Sequence, residues 1–354
     1  MPSTARPAPP RRVNLLIDLN GTCHVGEQQT PGAVDALRKL RQLQRRQQRA
    51  SSGGVASPSS PPSPSIGIRF CSNTTKESTS SLLSKLRRVG FGDDLIVESD
   101  LFTSLDATSR YVERCGLSPL LLLSESAQTA FRRDAALESR CFFASPGTPP
   151  SLLHDDQKRA LMRCDAVVVG LCPQLMTQAW LDEAFRLISG EYVGRGGSQK
   201  ARLIATHRAL YHRPSTDSPL SLGPGAFIAA LEAAARLDAS TTTICGKPSR
   251  TFLQECLGGL EREGPGRDGD GDGQGDAATT TKTKNVIIGD DVEADLGGDT
   301  TLLELERVLV RTGKYRKGDE DGAAQRSPPD ATFDTFAEWV DAFVAEVERR
   351  GVAE

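Results

Sequence analysis

Short apolar runs alternate with amphipathic stretches along most of this chain, a pattern typical of strands alternating with helices. All but one of the runs are three to six residues long, and they are rich in β-branched residues, as buried strands are. The strands that they predict lie at 13–17, 66–71, 91–102, 120–123, 166–171, 203–205, 241–245, 286–288 and 308–310. Helices are predicted from Pro31 through the 34–43 repeat, around 82–86, and at 105–115, 180–188, 222–237, 252–260 and 333–347. This alternation predicts an α/β fold with a parallel sheet.

Two of the apolar runs end in carboxylates. Asp18 follows the run 13–17, and Asp290 with Asp291 follows the run 286–288, with Asp295 close behind. A carboxylate at the end of a buried strand is costly unless it is paired or binds a metal. Asp18 alone could cap a loop or a helix, but two such strand ends together indicate a divalent-cation site with oxygen ligands.

Two further strand ends carry groups suited to phosphate. Ser72, Asn73 and Thr74 follow the run 66–71, where they could cap the next helix or bind an anion. Lys247 follows the run 241–245 and could equally be an ordinary exposed lysine. In one parallel sheet, all four strand ends would lie along the same edge. Together they would supply a nucleophile, a hydroxyl, a cation and a metal ligand, the groups that phosphoryl transfer needs.

Composition narrows the class of protein. With 354 residues, the chain has room for two domains, and its net charge of -3 indicates neither a nucleic-acid partner nor a membrane partner. No apolar run reaches the 18 residues of a membrane span, and residues 1–12 lack the apolar segment of a secretory signal. The eight cysteines form no Cys-x-x-Cys pair, which favours a reducing compartment. We therefore expect a cytoplasmic protein.

Two segments differ in composition from the rest of the chain. Residues 45–65 pass from an Arg/Gln stretch into Ser, Pro and Gly, and residues 262–284 are rich in Gly and Asp. Both are expected to be disordered insertions. Asp268, Asp270, Asp272 and Gly273 imitate the start of an EF-hand calcium loop, but Thr279 stands where that loop needs Glu. A flexible insertion is therefore the favoured interpretation.

The four strand-end segments resemble the four motifs of the haloacid dehalogenase (HAD) superfamily. They are Asp-Leu-Asn-Gly-Thr at 18–22, Ser-Asn-Thr-Thr-Lys-Glu-Ser at 72–78, Gly-Lys-Pro at 246–248 and Gly-Asp-Asp-Val-Glu-Ala-Asp at 289–295. The resemblance implies a Rossmann-like core with a parallel sheet and an inserted α/β cap domain. It places the core at 11–103 and 237–348 and the cap at 104–236.

The resemblance also implies residue roles and an Mg²⁺ cofactor. Asp18 would attack phosphorus and form an aspartyl-phosphate. Asp18, Asp290 and the backbone carbonyl of Asn20 would hold Mg²⁺, and Asp291 and Asp295 would orient the metal site. Ser72, Asn73, Thr74 and Lys247 would contact the phosphoryl group or the substrate. A homodimer is a further expectation from the resemblance.

One departure from the family pattern concerns catalysis directly. Many HAD phosphatases carry Asp two residues after the nucleophile as general acid and base, whereas this chain has Asn20, which transfers no proton. Substrates whose leaving group departs without protonation would tolerate that loss. We therefore expect a Mg²⁺-dependent phosphatase acting on pyrophosphate or P–N bonds, as in phosphohistidine or phospholysine, in a phosphorylated small molecule or phosphoprotein. The alternatives are a non-catalytic protein that binds phosphate ligands on the same fold, and a calcium-responsive protein acting through the insertions.

Overall fold

The computed structural model describes residues 12–52, 64–75, 77–197, 199–212, 219, 221–262, 283–321 and 328–352. The chain divides into two compact units. The first comprises the described parts of Met1–Cys71, Arg87–Asp100 and Leu253–Glu354, and the second those of Ser72–Leu86 and Leu101–Phe252. This division assigns residues 237–252 to the second unit, whereas the sequence-based boundary at 236 assigned them to the core. The predicted domain boundaries therefore stay a prediction.

The strands are short and most are buried. In chain order they are β1 Arg12–Asp18, β2 His24–Val25, β3 Gln28–Gln29, β4 Ser65–Ser72, β5 Leu101–Thr103, β6 Pro119–Leu122, β7 Phe142–Phe143, β8 Ala166–Val169, β9 Arg202–Ala205, β10 Tyr211–His212, β11 Ser221–Leu222, β12 Thr243–Ile244, β13 Thr283–Gly289, β14 Glu306–Val310 and β15 Ala331–Phe333.

The helices alternate with these strands, and several short 3₁₀ turns join the two kinds of element. The α-helices are α1 Ala33–Ser52, α2 Thr79–Val89, α3 Ser104–Arg114, α4 Glu125–Gln128, α5 Ala135–Glu138, α6 Asp155–Met162, α7 Gln178–Ser189, α8 Pro224–Ala235, α9 Arg250–Arg262 and α10 Phe336–Val352. The expected α/β class is confirmed.

A parallel sheet forms the core of the first unit. Its strands lie in the order β15-β14-β13-β1-β4, so β1 is hydrogen-bonded on both sides. Leu15, Leu16 and Ile17 of β1 are fully buried, because helices cover both faces of such a sheet. Asp18 pairs with Cys71 in the ladder, and Ile17 pairs with Ile288 of β13. This register places the carboxyl ends of β1 and β13 side by side.

The second unit has its own parallel sheet, in the order β12-β9-β8-β6-β7. Its strands bury an apolar cluster that includes Leu120, Val167 and Trp180. α3 begins with a reciprocal capping box between Thr103 and Asp106, which satisfies two backbone N–H groups that the helix leaves open. The start of α3 is therefore fixed by a local signal in the sequence.

The expectation that all four strand ends share one sheet is wrong. The strand that precedes Lys247, β12, pairs with β9 of the second unit, and the Cys245 amide donates to the Ala205 carbonyl. β12 has two residues, so the strand it pairs with could not be inferred from its own pattern.

Three other element predictions need correction. Residues 91–100 are turns and a 3₁₀ helix, and a strand occupies Leu101–Thr103 alone. Phe333, predicted as the start of the last helix, is instead the last residue of β15, and the helix begins at Phe336. α1 continues through 45–52, so these residues are not part of a disordered insertion. The Ser/Pro tract at 53–63 and the Gly/Asp segment at 263–282, including the EF-hand-like residues, lie outside the described residues.

Six of the eight cysteines are buried: Cys23, Cys71, Cys164, Cys172, Cys245 and Cys256. Burial raises the pKa of Cys164 and of Cys245 to about 12, so both are protonated at neutral pH and pack as small apolar groups. Across the described part of the chain, no helix is both long and apolar enough to cross a bilayer. The expected cytoplasmic location stays a prediction.

Replacing Leu16 by alanine should destabilise the first unit strongly. Leu16 is fully buried in the central strand, and such truncations cost about 2–5 kcal/mol through lost burial and the cavity left behind. The control is Leu302→Ala, because Leu302 is 70% exposed and should change stability by less than ~0.5 kcal/mol. Urea unfolding of both variants measures the difference, and equal midpoints would contradict the placement of β1 in the core.

Candidate active site

Three carboxylates of the first unit converge at the carboxyl end of its sheet. Asp18 is the last residue of β1, Asp290 follows β13 directly, and Asp295 lies in the turn beyond. One oxygen of each lies within 4.8 Å of the others, and the three residues are only 6%, 0% and 4% exposed. The adjacency follows from the pairing of β1 with β13. The sequence-based expectation that Asp18 and Asp290 meet is therefore realised in the structure.

The three buried carboxylates of this cluster repel one another. Burial raises the pKa of Asp290 well above its usual value, and the nearby charges of Asp18 and Asp295 raise it further. The ammonium of Lys314 acts in the opposite direction. Like charges gathered in a buried site are stable as anions when a cation lies among them.

The two oxygens of Asp290 have different environments. Oδ2 accepts a hydrogen bond of 2.6 Å from the backbone N–H of Lys314. Oδ1 is buried and has no hydrogen-bond partner among the described residues. A buried carboxylate oxygen of this kind, next to two other carboxylates, fits a hard divalent cation such as Mg²⁺. The donor set of the site thus matches the cofactor that the sequence predicts.

Asp291 is held differently from its neighbour. Its Oδ1 accepts the backbone N–H groups of Glu293 and Ala294 at 3.1 and 2.9 Å, and its Oδ2 lies 3.1 Å from Nζ of Lys314. Burial opposes ionisation of Asp291, but Lys314 and the amide donors outweigh it and lower the pKa of Asp291. The Asp291 amide in turn donates to Oδ2 of Asp295 at 3.2 Å. Asp291 therefore organises the turn, with both its oxygens engaged.

Two glycines allow the backbone to approach Asp290. Gly21 has φ +107°, and a Cβ added there would lie 2.0 Å from Oδ2 of Asp290. Gly313 has φ +60°, and a Cβ there would lie 2.2 Å from the same oxygen. Thr312 joins the two loops, since its hydroxyl donates to the carbonyl of Gly21 at 2.6 Å. The loop after β14 thus supports the carboxylate cluster directly.

A second group of predicted residues lies in the second unit. The Asn73 side chain holds the backbone of Lys247, accepting from its N–H at 2.9 Å and donating to its carbonyl at 3.1 Å. The Ser72 hydroxyl accepts the Thr74 N–H at 3.2 Å, and the Thr74 carbonyl accepts the Ser104 hydroxyl. Lys247 is 2% exposed, so the interpretation of an ordinary exposed lysine is wrong.

The structure thus places the predicted residues in two groups, one in each unit. Asp18, Asp290, Asp291 and Asp295 belong to the first, and Ser72, Asn73, Thr74 and Lys247 belong to the second. Asn20 is exposed in the turn after β1, where it forms an isolated bridge with His24. The roles assigned to all of these residues, including the Asn20 carbonyl as a metal ligand, stay predictions.

Sequence reasoning gave no role to Thr312, Gly313 or Lys314. They follow an apolar strand, as Asp18 and Asp290 do, so the sequence does predict that they lie at a strand end. However, a lysine or threonine in a loop carries no specific signal by itself. Their contacts with Asp290, Asp291 and Gly21 became visible only through the fold.

Comparisons with known proteins settle the family. A model described as haloacid dehalogenase-like hydrolase matches residues 15–134, and one described as HAD-hydrolase-like matches residues 244–339. Human haloacid dehalogenase-like hydrolase domain-containing protein 2 is 32% identical over 327 residues, which cover 92% of this chain and 94% of that protein. The chain belongs to the HAD superfamily.

Other HAD proteins are similar over most of the chain. Phospholysine phosphohistidine inorganic pyrophosphate phosphatase of Rattus norvegicus is 25% identical and covers 80% of this chain and 82% of its own length. Among solved structures, p-nitrophenyl phosphatase from Archaeoglobus fulgidus has a TM-score of 0.64 at 19% identity, with 94% of this chain and 100% of that chain covered. NagD from E. coli has a TM-score of 0.60 at 17% identity, with 93% and 97% covered. The structural matches establish the HAD-like fold.

These comparisons confirm two predictions from the sequence. The four motifs belong to a HAD protein with a Rossmann-like parallel sheet, and the protein is a hydrolase of the phosphatase type found in this superfamily. The metal, the substrate and the catalytic role of each residue are a separate question.

Gly21→Ala should abolish divalent-cation binding, because the new Cβ would displace the Asp290 carboxylate. Gly26→Ala is a matched control: Gly26 also has a positive φ, +59°, but a Cβ there would meet no atom within 4 Å. Gly26→Ala therefore shows the cost of an alanine at a positive φ without a clash, on the order of 1–2 kcal/mol. Titration with Mn²⁺, followed by electron paramagnetic resonance, compares them. Equal Mn²⁺ affinities in the two variants would contradict the assigned contact between Gly21 and Asp290.

Proposed function

We propose that this HAD protein is a Mg²⁺-dependent phosphatase that acts on phosphoryl groups with good leaving groups, such as pyrophosphate or P–N bonds. The observation that carries the proposal is the buried cluster of Asp18, Asp290 and Asp295 at the carboxyl edge of the sheet. In HAD proteins this edge carries the first and fourth motifs, and the carboxylates Asp18 and Asp290 of those motifs are both present here.

In the proposed reaction, a carboxylate oxygen of Asp18 attacks phosphorus. The bond from phosphorus to the leaving group breaks, and the leaving group departs with the electron pair. Pyrophosphate releases phosphate, and a phosphoramidate releases a neutral amine or imidazole, because its nitrogen is already protonated in solution. Water then attacks the phosphorus of the aspartyl-phosphate, which releases inorganic phosphate and restores Asp18. Splitting the transfer into two steps is the advantage of covalent catalysis.

The remaining residues would orient the phosphoryl group and the metal ligands and would neutralise their negative charge. Bound Mg²⁺ would offset the negative charge of the phosphoryl group and of the carboxylates. Asp18, Asp290 and the backbone carbonyl of Asn20 would hold it, with Asp295 and Asp291 fixing their geometry. Ser72 and Lys247 would bind phosphoryl oxygens, while Asn73 and Thr74 would present donors to phosphate or substrate. The two hydrogen bonds between the Asn73 side chain and the Lys247 backbone, one in each direction, support a fixed position for that lysine.

Asn20 determines which substrates this site favours. An amide transfers no proton, so the leaving group receives no general-acid assistance at that position. Loss of such assistance typically lowers the rate by a factor of about 10²–10⁴, or ~3–5 kcal/mol. Pyrophosphate and phosphoramidates tolerate this loss because their leaving groups depart more readily than a sugar alkoxide. The name of the rat relative, phospholysine phosphohistidine inorganic pyrophosphate phosphatase, agrees with this substrate class.

The proposal extends to the substrate class, the partners, the location and the oligomeric state of the protein. The substrate would be a phosphorylated small molecule or a phosphoprotein, with neither nucleic acid nor membrane as partner, and the protein would work in the cytoplasm. The second α/β unit would take the part of the HAD cap domain that selects the substrate. A homodimer is part of this proposal.

Phosphate release from a substrate panel should depend on both Asp18 and Mg²⁺. The panel contains pyrophosphate, imidodiphosphate, phosphohistidine and glucose 6-phosphate. We expect turnover of the first three to exceed that of the sugar phosphate, and Asp18→Asn to lower it by about 10³-fold or more. A sugar phosphate turned over faster than pyrophosphate would contradict the leaving-group argument.

The same assay distinguishes the alternative, a HAD-fold protein that binds phosphate ligands without hydrolysing them. Asn20 is the observation that favours this alternative, since it removes the proton-transfer group. A folded, Mg²⁺-binding protein with no turnover on any member of the panel would support it.

Asn20→Asp should broaden the substrate range. Restoring a carboxyl group two residues after the nucleophile supplies a general acid, so turnover of glucose 6-phosphate should rise by about tenfold or more, with a smaller effect on pyrophosphate. Gln28→Glu serves as a control for the added charge, because Gln28, like Asn20, is exposed and lies in the segment that follows β1. The ratio of kcat/KM for the two substrates is the measurement, and an unchanged ratio would contradict the assigned role of position 20.

A further inference from the structure

The loop after β14 brings a cation to the carboxylate cluster. The ammonium of Lys314 lies 3.1 Å from Oδ2 of Asp291, and the backbone N–H of the same residue donates to Oδ2 of Asp290 at 2.6 Å. The Lys314 side chain is about one-third exposed, and that of Asp291 is 23% exposed, so water screens this ion pair only in part.

The charges that face Lys314 are predominantly negative. Asp291 is its ion-pair partner, and the carboxylates of Asp290, Asp295 and Asp18 also act on its ammonium. Asp290 in turn is influenced by Asp18, Asp295 and Lys314. Within this set there are four carboxylates and one ammonium, and all belong to the first unit.

We propose that Lys314 is a built-in counter-cation that holds the carboxylate cluster together when no metal is bound and thereby lowers the affinity of the cluster for divalent cations. It is a positioning residue: its ammonium neutralises Asp291, while its backbone N–H engages the oxygen of Asp290 that faces the loop. Oδ1 of Asp290 is left for the metal. The inference rests on the proposed function in that it takes this cluster as the metal site, but its test does not depend on turnover.

The geometry separates the two contributions of Lys314. A change of its side chain removes the ammonium but leaves the backbone N–H that binds Asp290. Asp291 would also keep its two backbone N–H donors. Replacement by a neutral side chain of similar length should therefore leave the carboxylates in place and change mainly the charge. The Lys314 ammonium and a divalent cation stabilise the same carboxylates, and their positive charges repel each other. The ammonium should therefore weaken binding of the cation, and a bound cation should weaken the contact of the ammonium with the carboxylates.

The experiment compares Lys314→Met with Lys314→Arg and Lys317→Met. Lys317 is an exposed lysine of the same loop, so its replacement removes the same charge away from the cluster. Each full-length variant is titrated with Mn²⁺, and its thermal unfolding is measured in EDTA and in saturating Mg²⁺.

We expect Lys314→Met to bind Mn²⁺ roughly tenfold more tightly than the unchanged protein, because a repelling positive charge has been removed. Its Tm should fall in EDTA and recover largely in Mg²⁺, so that the stabilisation by the metal increases. Lys314→Arg should keep both the original affinity and the original Tm difference, and Lys317→Met should change neither.

Two results would overturn the inference. The first is unchanged or weaker Mn²⁺ binding by Lys314→Met, and the second is a Tm that falls equally with and without Mg²⁺, as loss of a purely structural contact would cause. The proposed phosphatase activity would survive either result, provided that the unchanged protein binds Mn²⁺ and releases phosphate. Conversely, absence of phosphatase activity with the expected Mn²⁺ results would refute the proposed function alone.

Discussion

The repulsion among buried carboxylates is the constraint on which this site depends. Asp18, Asp290 and Asp295 are almost fully buried within one cluster, and the fold holds them there because β1 and β13 pair in parallel. Such a cluster is costly for a protein unless cations compensate it. Lys314 supplies one positive charge from the loop after β14. A divalent cation would compensate the remaining negative charge, and the three carboxylates, with the buried Oδ1 of Asp290, are suitable ligands for it.

Close backbone packing makes the cluster geometrically possible. Gly21 and Gly313 meet at Asp290, and either position with a side chain would place an atom where the carboxylate lies. Both residues also adopt backbone conformations that favour glycine. The carboxylates, the two glycine turns and the Thr312 hydrogen bond therefore form one connected structure, in which a small change at any member alters the position of Asp290.

The sequence predicted the parts of this arrangement that depend on local pattern. The strands that carry Asp18 and Asp290 are apolar and β-branched, and their carboxylates stand where such strands end, so their convergence followed from a parallel sheet. The position of Lys247 did not follow, because its two-residue strand pairs in the second unit for reasons that only the tertiary fold contains. Lys314 was missed for a similar reason. It is hydrogen-bonded to Asp290 and Asp291, which lie 24 and 23 residues away along the chain, and these contacts are visible only in the fold.

The most direct test of the account is to trap the proposed covalent intermediate. The protein is mixed with pyrophosphate and Mg²⁺, quenched, and treated with borohydride, which reduces an aspartyl-phosphate to homoserine. Peptide mass spectrometry then locates the modified residue. The account predicts homoserine at position 18, and none when Mg²⁺ is removed by EDTA. Substrate turnover with modification at another residue, or with Asp18 unmodified in every quenched sample, would contradict it.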